Sequence, residues 1–225
     1  MLENASRPTP PSAAAPSSRR TPLDHVAAVG SAADAAVTLA ERPHIAKISL
    51  RGRPSDAQFM AAAGRVLDMV LPTDPLSSVG TTGSYGTVAA LNLGPDEWLI
   101  TADPGVERNL TPALSDAFDG IHAAVVDVTE NSTVLRLAGG RARDTLAKGM
   151  PLDIHDSRFP VGAVAQSLIA KADVILHRQE DSTGAPVFDI HVRRSFAAYL
   201  WQWLCDAGGE YGVATVRAQR AAGAT

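Results

Sequence analysis

The sequence of 225 residues contains a single cysteine, Cys205. One thiol cannot form an internal disulfide, so the chain is not a disulfide-stabilised scaffold, and we expect a cytoplasmic location. No segment approaches the roughly 20 consecutive apolar residues that a membrane-spanning helix requires. The N-terminus also lacks the apolar core of a signal peptide. These two absences predict no membrane association.

The chain has no strong excess of either charge. It carries 20 Lys and Arg against 24 Asp and Glu, a net charge of −4, with a sequence pI near 5.8. Nucleic-acid-binding domains usually show a basic excess, so we expect no nucleic-acid partner. Hydrophobic residues make up 45% and charged residues 20%, which is typical of a soluble globular protein with a substantial core.

Residues that form metal sites or nucleophiles are scattered along the chain. The histidines never lie within four residues of each other, and there is no second cysteine to complete a ligand set. The pair Asp153 and His155 is better interpreted as a solvated turn. Cys205 lies inside a predicted helix without a basic neighbour that would lower its pKa. No G-x-S-x-G nucleophile motif is present. We therefore predict neither catalytic residues nor metal ligands.

Cofactor-binding fingerprints are missing too. The glycine-rich segment from Gly80 to Gly86 matches neither a phosphate-binding loop nor a dinucleotide motif, so we interpret it as a plain loop. Asp127 follows a valine-rich strand, where a carboxylate could orient a pterin or an amine. A capping role for Asp127 on the adjacent backbone is the simpler alternative. We expect no cofactor in this chain, with Asp127 as a weak candidate.

The segments of the chain differ in composition. Residues 1–22 are rich in proline, serine and alanine and predict a disordered tail. Residues 23–42 are rich in alanine and valine and are interpreted as an arm or short helix. Residues 43–217 form the predicted domain, with halves at about 44–128 and 132–217. Residues 218–225 form a frayed tail.

The residues from Val125 to Phe159 organise the rest of the chain. A strand ends at Val128, a second strand spans Thr133 to Ala138, and a Gly-Gly turn leads into a short helix from Arg141 to Lys148. Gly149 is expected to end that helix in a left-handed conformation, and Pro151 prevents the helix from resuming.

Similar patterns predict the remaining elements. Three further helices are expected. The first follows Ser55, which would form a capping box with Gln58. The second begins at Asp103 as N-cap with Pro104 at its first position, and the third runs from Ser195 to Ala207. Corresponding elements in the two halves lie 87 to 89 residues apart. We therefore predict an α+β fold of two tandem split β-α-β, ferredoxin-like units. The other predicted strands are His44–Leu50, Thr87–Leu93, Glu97–Thr101, Ala163–Ala170, Val174–Gln179, Val187–Val192 and Val213–Val216.

The last helix carries two of the three tryptophans. Helical spacing places Trp203 on the same apolar stripe as its neighbours, and Trp201 well outside that stripe. A tryptophan off the core stripe is typical of a surface that another protein covers. We therefore predict that Trp203 is buried and that Trp201 is a partner-interface residue, with coverage by a loop of the same chain as the alternative. The predicted buried stripe is Phe196, Tyr199, Leu200, Trp203 and Leu204.

Several sequence blocks occur together and in a defined order. LGPDEWLI is followed by LRLAGGRARDTLAKGMPLDIH, then RFP, then RRSFAAYLWQWL. This combination resembles the gamma subunit family of heterotetrameric sarcosine oxidase. That family is itself similar to the folate-binding aminomethyltransferases of the glycine cleavage system, and the resemblance implies the same fold as the internal repeat.

The resemblance also implies a function. Sarcosine oxidase demethylates sarcosine to glycine, forms hydrogen peroxide and passes the methyl carbon to tetrahydrofolate. In the family, FAD, FMN, NAD and tetrahydrofolate are bound by partner subunits, and the gamma subunit is non-catalytic. Alpha, beta and delta subunits are the implied partners. The alternative is a free-standing folate-binding, aminomethyltransferase-like protein, for which only Asp127 or Glu130 could be the acidic anchor.

Overall fold

The computed structural model describes residues 19–27, 35–180 and 184–216. Most of the predicted tails, residues 1–18 and 218–225, lies outside the described residues. No helix in the described part of the chain is both long and apolar enough to cross a membrane. Between the strands and helices below, short 3-10 helices occur at Thr129–Asn131, Arg194–Phe196 and Gly209–Tyr211.

The described residues form strands and helices in the following order: β1 Val37–Arg42, β2 Ala46–Gly52, α1 Ala57–Leu67, β3 Ser78–Gly83, β4 Gly86–Gly94, β5 Glu97–Ala102, α2 Glu107–Ala117, β6 Ala123–Asp127, β7 Ser132–Ala138, α3 Ala142–Ala147, β8 Val164–Ile169, β9 Ala172–Gln179, β10 Val187–Arg193, α4 Ala197–Gly208 and β11 Val213–Val216.

The strands form two sheets. The five-stranded sheet has the order β3-β4-β5-β2-β6, and all of its neighbouring strands are antiparallel. The six-stranded sheet has the order β11-β1-β7-β10-β9-β8, in which only β1 and β11 are parallel. The fold is therefore α+β, as predicted. A simple ferredoxin-like unit has four strands, whereas these sheets have five and six. The strand count alone therefore does not establish the predicted pair of tandem ferredoxin-like units.

Each sheet buries one face under its own pair of helices. Phe59 of α1 and Leu110 of α2 pack on the five-stranded sheet, and Leu146 of α3 and Leu200 of α4 pack on the six-stranded sheet. The opposite faces of the two sheets approach each other through a small apolar contact of Leu91, Leu99 and Val164. The remaining space between the sheets is lined by both polar and apolar side chains, and it is here that the candidate site lies.

Strand β1 was missed by the sequence analysis. The prediction of an arm or a short helix is wrong for Val37–Arg42, because these residues pair with β7 on one side and β11 on the other. Val37 and Leu39 alternate with less buried neighbours, which is the period of a strand. A segment rich in alanine and valine has only a weak local preference for helix or strand, so pairing with distant strands decides its conformation.

Strand β3 was also missed. Residues 78–83 pair with β4 in register from Ser78 with Leu91 to Gly83 with Gly86, although the sequence predicted a loop from Gly80 onward. β3 is an edge strand with mostly exposed side chains. Glycine is tolerated there because few side chains must pack.

Two helix starts differ from the predictions. Asp56, not Ser55, caps α1: its Oδ1 accepts hydrogen bonds from the backbone N–H groups of Gln58 at 2.9 Å and Phe59 at 3.3 Å. Asp103 does not cap α2, because its carboxylate accepts from the backbone N–H of Thr87. The path of the chain therefore decides which backbone N–H groups each aspartate caps.

Gly149 has a different role from the one predicted. Its φ is not positive, so it does not end α3 in the left-handed conformation. A Cβ built at Gly149 would lie 2.4 Å from the ring of Trp203 and 3.2 Å from the backbone nitrogen of Ala170. Glycine is therefore required here for the close approach of Trp203, and the left-handed geometry is not the reason.

Replacing Gly149 by alanine is expected to destabilise the fold by about 1–3 kcal/mol, the usual cost of overpacking a close contact. The matched control is Gly140→Ala, because a Cβ at Gly140 meets no atom within 4 Å and its φ is not positive. Urea unfolding of both variants checks the difference. Equal free energies of unfolding for the two would contradict the packing role of Gly149.

Candidate functional site

A cluster of polar side chains lies between the two sheets. Neighbouring strands of the six-stranded sheet present Arg42, Arg136, Asp189, His177 and His191 on the face opposite to the helix-covered core. The alternate residues on the same strands, such as Leu137, Leu176 and Ile190, are buried in that core. We call these five polar residues the inter-sheet cluster.

Asp189 is the charged centre of the inter-sheet cluster. It is 3% exposed. Its Oδ1 accepts a hydrogen bond from Nε of Arg136 at 2.7 Å, and its Oδ2 accepts from Nη2 of Arg136 and Nη1 of Arg42, both at 2.8 Å. Burial alone would raise the pKa of Asp189, but the two guanidinium groups outweigh it and hold the pKa below its ordinary value. The carboxylate is therefore ionised and fully engaged.

His177 is buried and has defined partners on both ring nitrogens. Its Nε2 lies 2.8 Å from Oγ of Ser78, and its Nδ1 lies 2.7 Å from the amide nitrogen of Gln179. The Ser78 hydroxyl donates its one hydrogen to the carbonyl of Gly162 at 2.8 Å. Oγ must then accept from Nε2–H, so Nδ1 accepts from Gln179. His177 is a neutral imidazole with its proton on Nε2.

Burial lowers the pKa of His177 to about 4, and the cations of Arg136 and Arg42 contribute to the same shift against the opposing charge of Asp189. His191 follows the same pattern more strongly. Burial lowers its pKa to about 3, although Asp189 opposes the shift. Both histidines therefore stay neutral at physiological pH, and protonating either would place a charge in the buried space between the sheets.

His191 stands between two cavities. Its Nδ1 is buried and has no hydrogen-bond partner among the described residues. The smaller cavity, of about 80 Å³, also contacts Arg42, His177 and Asp189. The larger is an open cleft of about 650 Å³ between the sheets, which falls in the size range of ligand sites. The cleft has apolar walls that include Leu93, Leu99, Val128 and Ile175.

A second ionic group surrounds Lys47. Lys47 is 1% exposed and donates from Nζ to the carbonyl of Ile45 at 2.7 Å. Burial lowers the pKa of Lys47 to about 8, with the charge of Glu130 opposing the shift. Nearby, Arg19 forms ion pairs with Glu107 at 3.0 Å and with Glu130 at 2.7 Å. Arg19 belongs to the predicted tail, so this end of the tail contacts the folded domain.

Among the described residues, Ser157 contacts His155 in an exposed turn and Ser78 contacts the buried His177, and the buried contact is not arranged as a catalytic pair. A general base must accept the serine proton, whereas Nε2 of His177 donates to Ser78 and the serine donates to a carbonyl. A histidine with a pKa of about 4 is also a weak base at neutral pH. Within the described ranges, no three His, Cys, Asp or Glu side chains are grouped as metal ligands.

Comparison with known proteins assigns the family. The profile of the sarcosine oxidase gamma subunit family matches residues 51–210. This chain belongs to that family. The sarcosine oxidase subunit gamma of Corynebacterium sp. strain U-96 is 34% identical over 207 residues, which cover 88% of this chain and 94% of the relative.

One solved structure agrees with this assignment, and a second shows a related fold. A chain of heterotetrameric sarcosine oxidase from Corynebacterium sp. U-96, solved with pyrrole 2-carboxylate, matches with a TM-score of 0.75 and 30% identity, covering 88% of this chain and 98% of that chain. The glycine cleavage system aminomethyltransferase T of Bartonella henselae matches with a TM-score of 0.61 and 19% identity, and the match covers 81% of this chain and 48% of that chain. The second match shows the fold alone.

The structure places both acidic candidates of the gamma-subunit chain at the surface. Asp127 is exposed at the end of β6, and its Oδ1 accepts from the backbone N–H of Thr129 at 2.9 Å, which is the capping geometry of the simpler alternative. Glu130 is paired with Arg19 and Arg194. The sequence analysis did not foresee the inter-sheet cluster. The sequence feature that could have revealed this cluster is the alternation of Asp189 and His191 with apolar residues along one strand.

The prediction for Trp201 is wrong. Trp201 is 2% exposed and packs in the core of the six-stranded sheet, whereas Trp203 is only partly buried. The small residues Ala197 and Gly208 were neglected when the buried stripe was assigned, yet both are buried. Including them turns the buried face toward Trp201. The buried residues of α4 are Ala197, Leu200, Trp201, Leu204, Ala207 and Gly208.

Substituting Asp189 by alanine is expected to lower the free energy of unfolding by about 2–4 kcal/mol at neutral pH, because it leaves two arginines without their counter-charge. The arginine side chains are 35% and 34% exposed, and solvation keeps the cost below that of a fully buried pair. Asp173→Ala, an exposed aspartate on β9, is the control, and we expect a change within about 0.5 kcal/mol. Comparable losses in urea unfolding would contradict a central role for Asp189.

Proposed function

We propose that this chain is a non-catalytic subunit of a sarcosine-oxidising flavoenzyme. The observation that carries the proposal is the match to sarcosine oxidase gamma subunits over nearly their whole length. The geometry of the inter-sheet cluster supports the non-catalytic part. Its carboxylate is held by two arginines, and its one Ser–His contact runs in the wrong direction for nucleophilic catalysis.

The complex would convert sarcosine to glycine, reduce oxygen to hydrogen peroxide and transfer the methyl carbon to tetrahydrofolate. Alpha, beta and delta subunits are the proposed partners, in the cytoplasm. We assign FAD, FMN, NAD and tetrahydrofolate to those partners, because this sequence has no dinucleotide-binding glycine motif. The contribution of this chain would be to complete and stabilise the assembly.

A free-standing folate-binding protein is the less favoured alternative. It needs an acidic anchor inside a lined cavity, and the two candidates are exposed. Asp127 is engaged by the backbone of Thr129, and Glu130 is engaged by two arginines. The match to the aminomethyltransferase covers 48% of that protein at 19% identity, so it supports a related fold and no shared activity.

A duplicated ferredoxin-like unit is our proposal for the origin of the fold. The elements from β2 to β6 and from β7 to β11 both follow the order β-α-β-β-β-α-β. The sheet orders also correspond, apart from β1, which lies between β7 and β11. We propose halves at about 44–128 and 132–217, with β1 added to the second. Superposition of the two halves in an experimental structure tests this.

The purified isolated chain is expected to be colourless and to produce no peroxide from sarcosine, since its sequence carries no dinucleotide-binding glycine motif. The measurement is an absorbance spectrum with a peroxide assay, run beside the complete complex as the positive control. Stoichiometric yellow flavin in the isolated chain, or turnover by it, would contradict the non-catalytic assignment.

A further inference from the structure

Residues 19–26 belong to neither sheet, yet contacts with the folded domain hold both ends of this segment. At one end, Leu23 is 3% exposed and lies in the core of the six-stranded sheet, and Val26 packs against the same core. The backbone N–H of Val26 donates to the carbonyl of Leu23 at 2.9 Å, which keeps this end in a compact turn. At the other end lies Arg19. We call residues 19–26 the clasp.

The ion pairs of Arg19 join elements of both sheets. Its Nη1 pairs with Oε1 of Glu107 at 3.0 Å, and its Nη2 pairs with Oε1 of Glu130 at 2.7 Å. Glu107 is the first residue of α2, which covers the five-stranded sheet. Arg194 follows β10 of the six-stranded sheet, and it donates to Oε2 of Glu130 at 2.9 Å and to the backbone carbonyl of Arg20 at 3.1 Å. One chain of polar contacts therefore runs from α2 through the clasp to the end of β10.

Glu107 makes the contact with Arg19 costly to lose. Glu107 is 4% exposed, and among the described residues Arg19 is the one hydrogen-bond and ion-pair partner of its side chain. A buried carboxylate that loses its counter-ion must be solvated by water or take up a proton. The closed clasp is therefore favoured as long as Arg19 is present.

The amine of Lys47 lies beside these ion pairs. Lys47 is 1% exposed. Burial lowers the pKa of Lys47 to about 8, the charge of Glu130 opposes this shift, and the charge of Arg19 adds to it. Such an effect requires the guanidinium of Arg19 to lie near the amine. Displacement of the clasp would therefore let water and reagents reach Lys47 while both sheets stay folded.

We propose that the clasp fastens the two sheets to each other at one edge of the domain, and that it opens as a local unit whose release exposes Lys47. The side chains of Arg19 and Glu130 are 32% and 55% exposed, so salt weakens this closure. The proposal concerns the isolated chain and does not depend on the proposed function.

Chemical labelling of lysine tests the clasp, because the chain contains three lysines, Lys47, Lys148 and Lys171. The full chain is treated at neutral pH with an amine-acetylating reagent, and the rate at each lysine is measured by mass spectrometry. The exposed Lys171 is the internal reference. Arg19→Gln is expected to accelerate labelling of Lys47 relative to Lys171 by about tenfold or more, since it removes the counter-ion of a buried carboxylate.

The direction of the change separates opening from a simple electrostatic effect. Removing the positive charge of Arg19 raises the pKa of Lys47 toward its ordinary value, so an amine that the reagent already reached would be labelled more slowly in Arg19→Gln. An opened clasp predicts faster labelling instead. Leu23→Ala changes no charge and loosens the other end of the clasp, so it should also accelerate labelling of Lys47.

Arg51→Gln is the matched control for the loss of a surface ion pair. Arg51 lies on β2, the strand that carries Lys47, and it pairs with Asp96 and Glu97 within the five-stranded sheet. These contacts do not connect the two sheets. We expect labelling of Lys47 in this variant to stay within about twofold of the rate in the unmodified chain.

Hydrogen exchange of β9, an internal strand of the six-stranded sheet, distinguishes local opening from global unfolding. The expected result is faster labelling of Lys47 in Arg19→Gln and Leu23→Ala, with unchanged exchange in β9. Labelling of Lys47 that is unchanged or slower in Arg19→Gln would overturn the proposal. Faster labelling with an equal rise in β9 exchange would also overturn it, because the whole domain would then be opening.

Discussion

At pH 5 the isolated chain is expected to be about 4 kcal/mol less stable toward unfolding than at pH 7, because two buried histidines cannot accept protons in the folded state. His177 and His191 are 6% and 5% exposed. Their folded pKa values lie at about 4 and about 3. In the unfolded chain both would titrate near the ordinary value of about 6.5.

The direction of the effect follows from the proton count. Above about pH 6.5 both histidines are neutral in both states and contribute no pH dependence. Below that pH the unfolded chain binds protons that the folded chain excludes, so each histidine lowers the free energy of unfolding by about 1.4 kcal/mol per pH unit. The loss continues until the pH reaches the folded pKa values. Urea unfolding at a series of pH values measures the slope.

The matched variants separate the buried histidines from the remaining titrating groups. His177→Gln and His191→Gln should each remove about half of the slope between pH 6.5 and 5, whatever they cost at pH 7. His122→Gln, at an exposed position, should leave the slope unchanged. An unmodified chain whose stability is constant from pH 7 to 5 would contradict the neutral, buried state of both histidines.

Trp201→Ala is expected to lower the free energy of unfolding by about 3–5 kcal/mol, the usual cost of deleting a large buried side chain. Trp201 lies in the core between α4 and the six-stranded sheet and is 2% exposed. Trp203→Ala, two residues along the same helix, is the control. It should cost clearly less because Trp203 already contacts solvent and its removal leaves a smaller cavity.

Chemical denaturation of the two isolated variants distinguishes the assignments. If Trp203→Ala lowered the free energy of unfolding more than Trp201→Ala, the original prediction of a buried Trp203 and an exposed Trp201 would be correct. The comparison also matters for assembly, since a variant at Trp201 would fail to assemble for lack of a stable fold.

The sequence predicted the elements whose local signals agree with the fold. The strands from Val164 to Arg193 and the helix α4 have clear hydrophobic periods, and the structure places them close to the expected bounds. The α+β class and the family followed from the same pattern and from the sequence blocks. The stretch around Leu137 and Gly139 was also correct as strand, turn and helix.

The features that were missed depend on distant contacts. Val37–Arg42 becomes a strand because β7 and β11 lie on either side of it. Trp201 is buried because Ala197 and Gly208 allow the helix to approach its sheet on that side. The inter-sheet cluster needs the register that brings Arg136 opposite Asp189, which no local pattern encodes. Its components lie on four different strands between Arg42 and His191 and form no recognisable motif.

The most direct test of the account is activity with and without the partner subunits. The chain should be purified alone and also co-expressed with the other subunits of its complex, and sarcosine-dependent peroxide should be measured per mole of chain. We predict no flavin and no peroxide for the isolated chain, and a single co-eluting, flavin-containing and active complex when the subunits are present. An isolated chain that binds flavin and turns over sarcosine, or an active complex from which this chain is absent, would contradict the account.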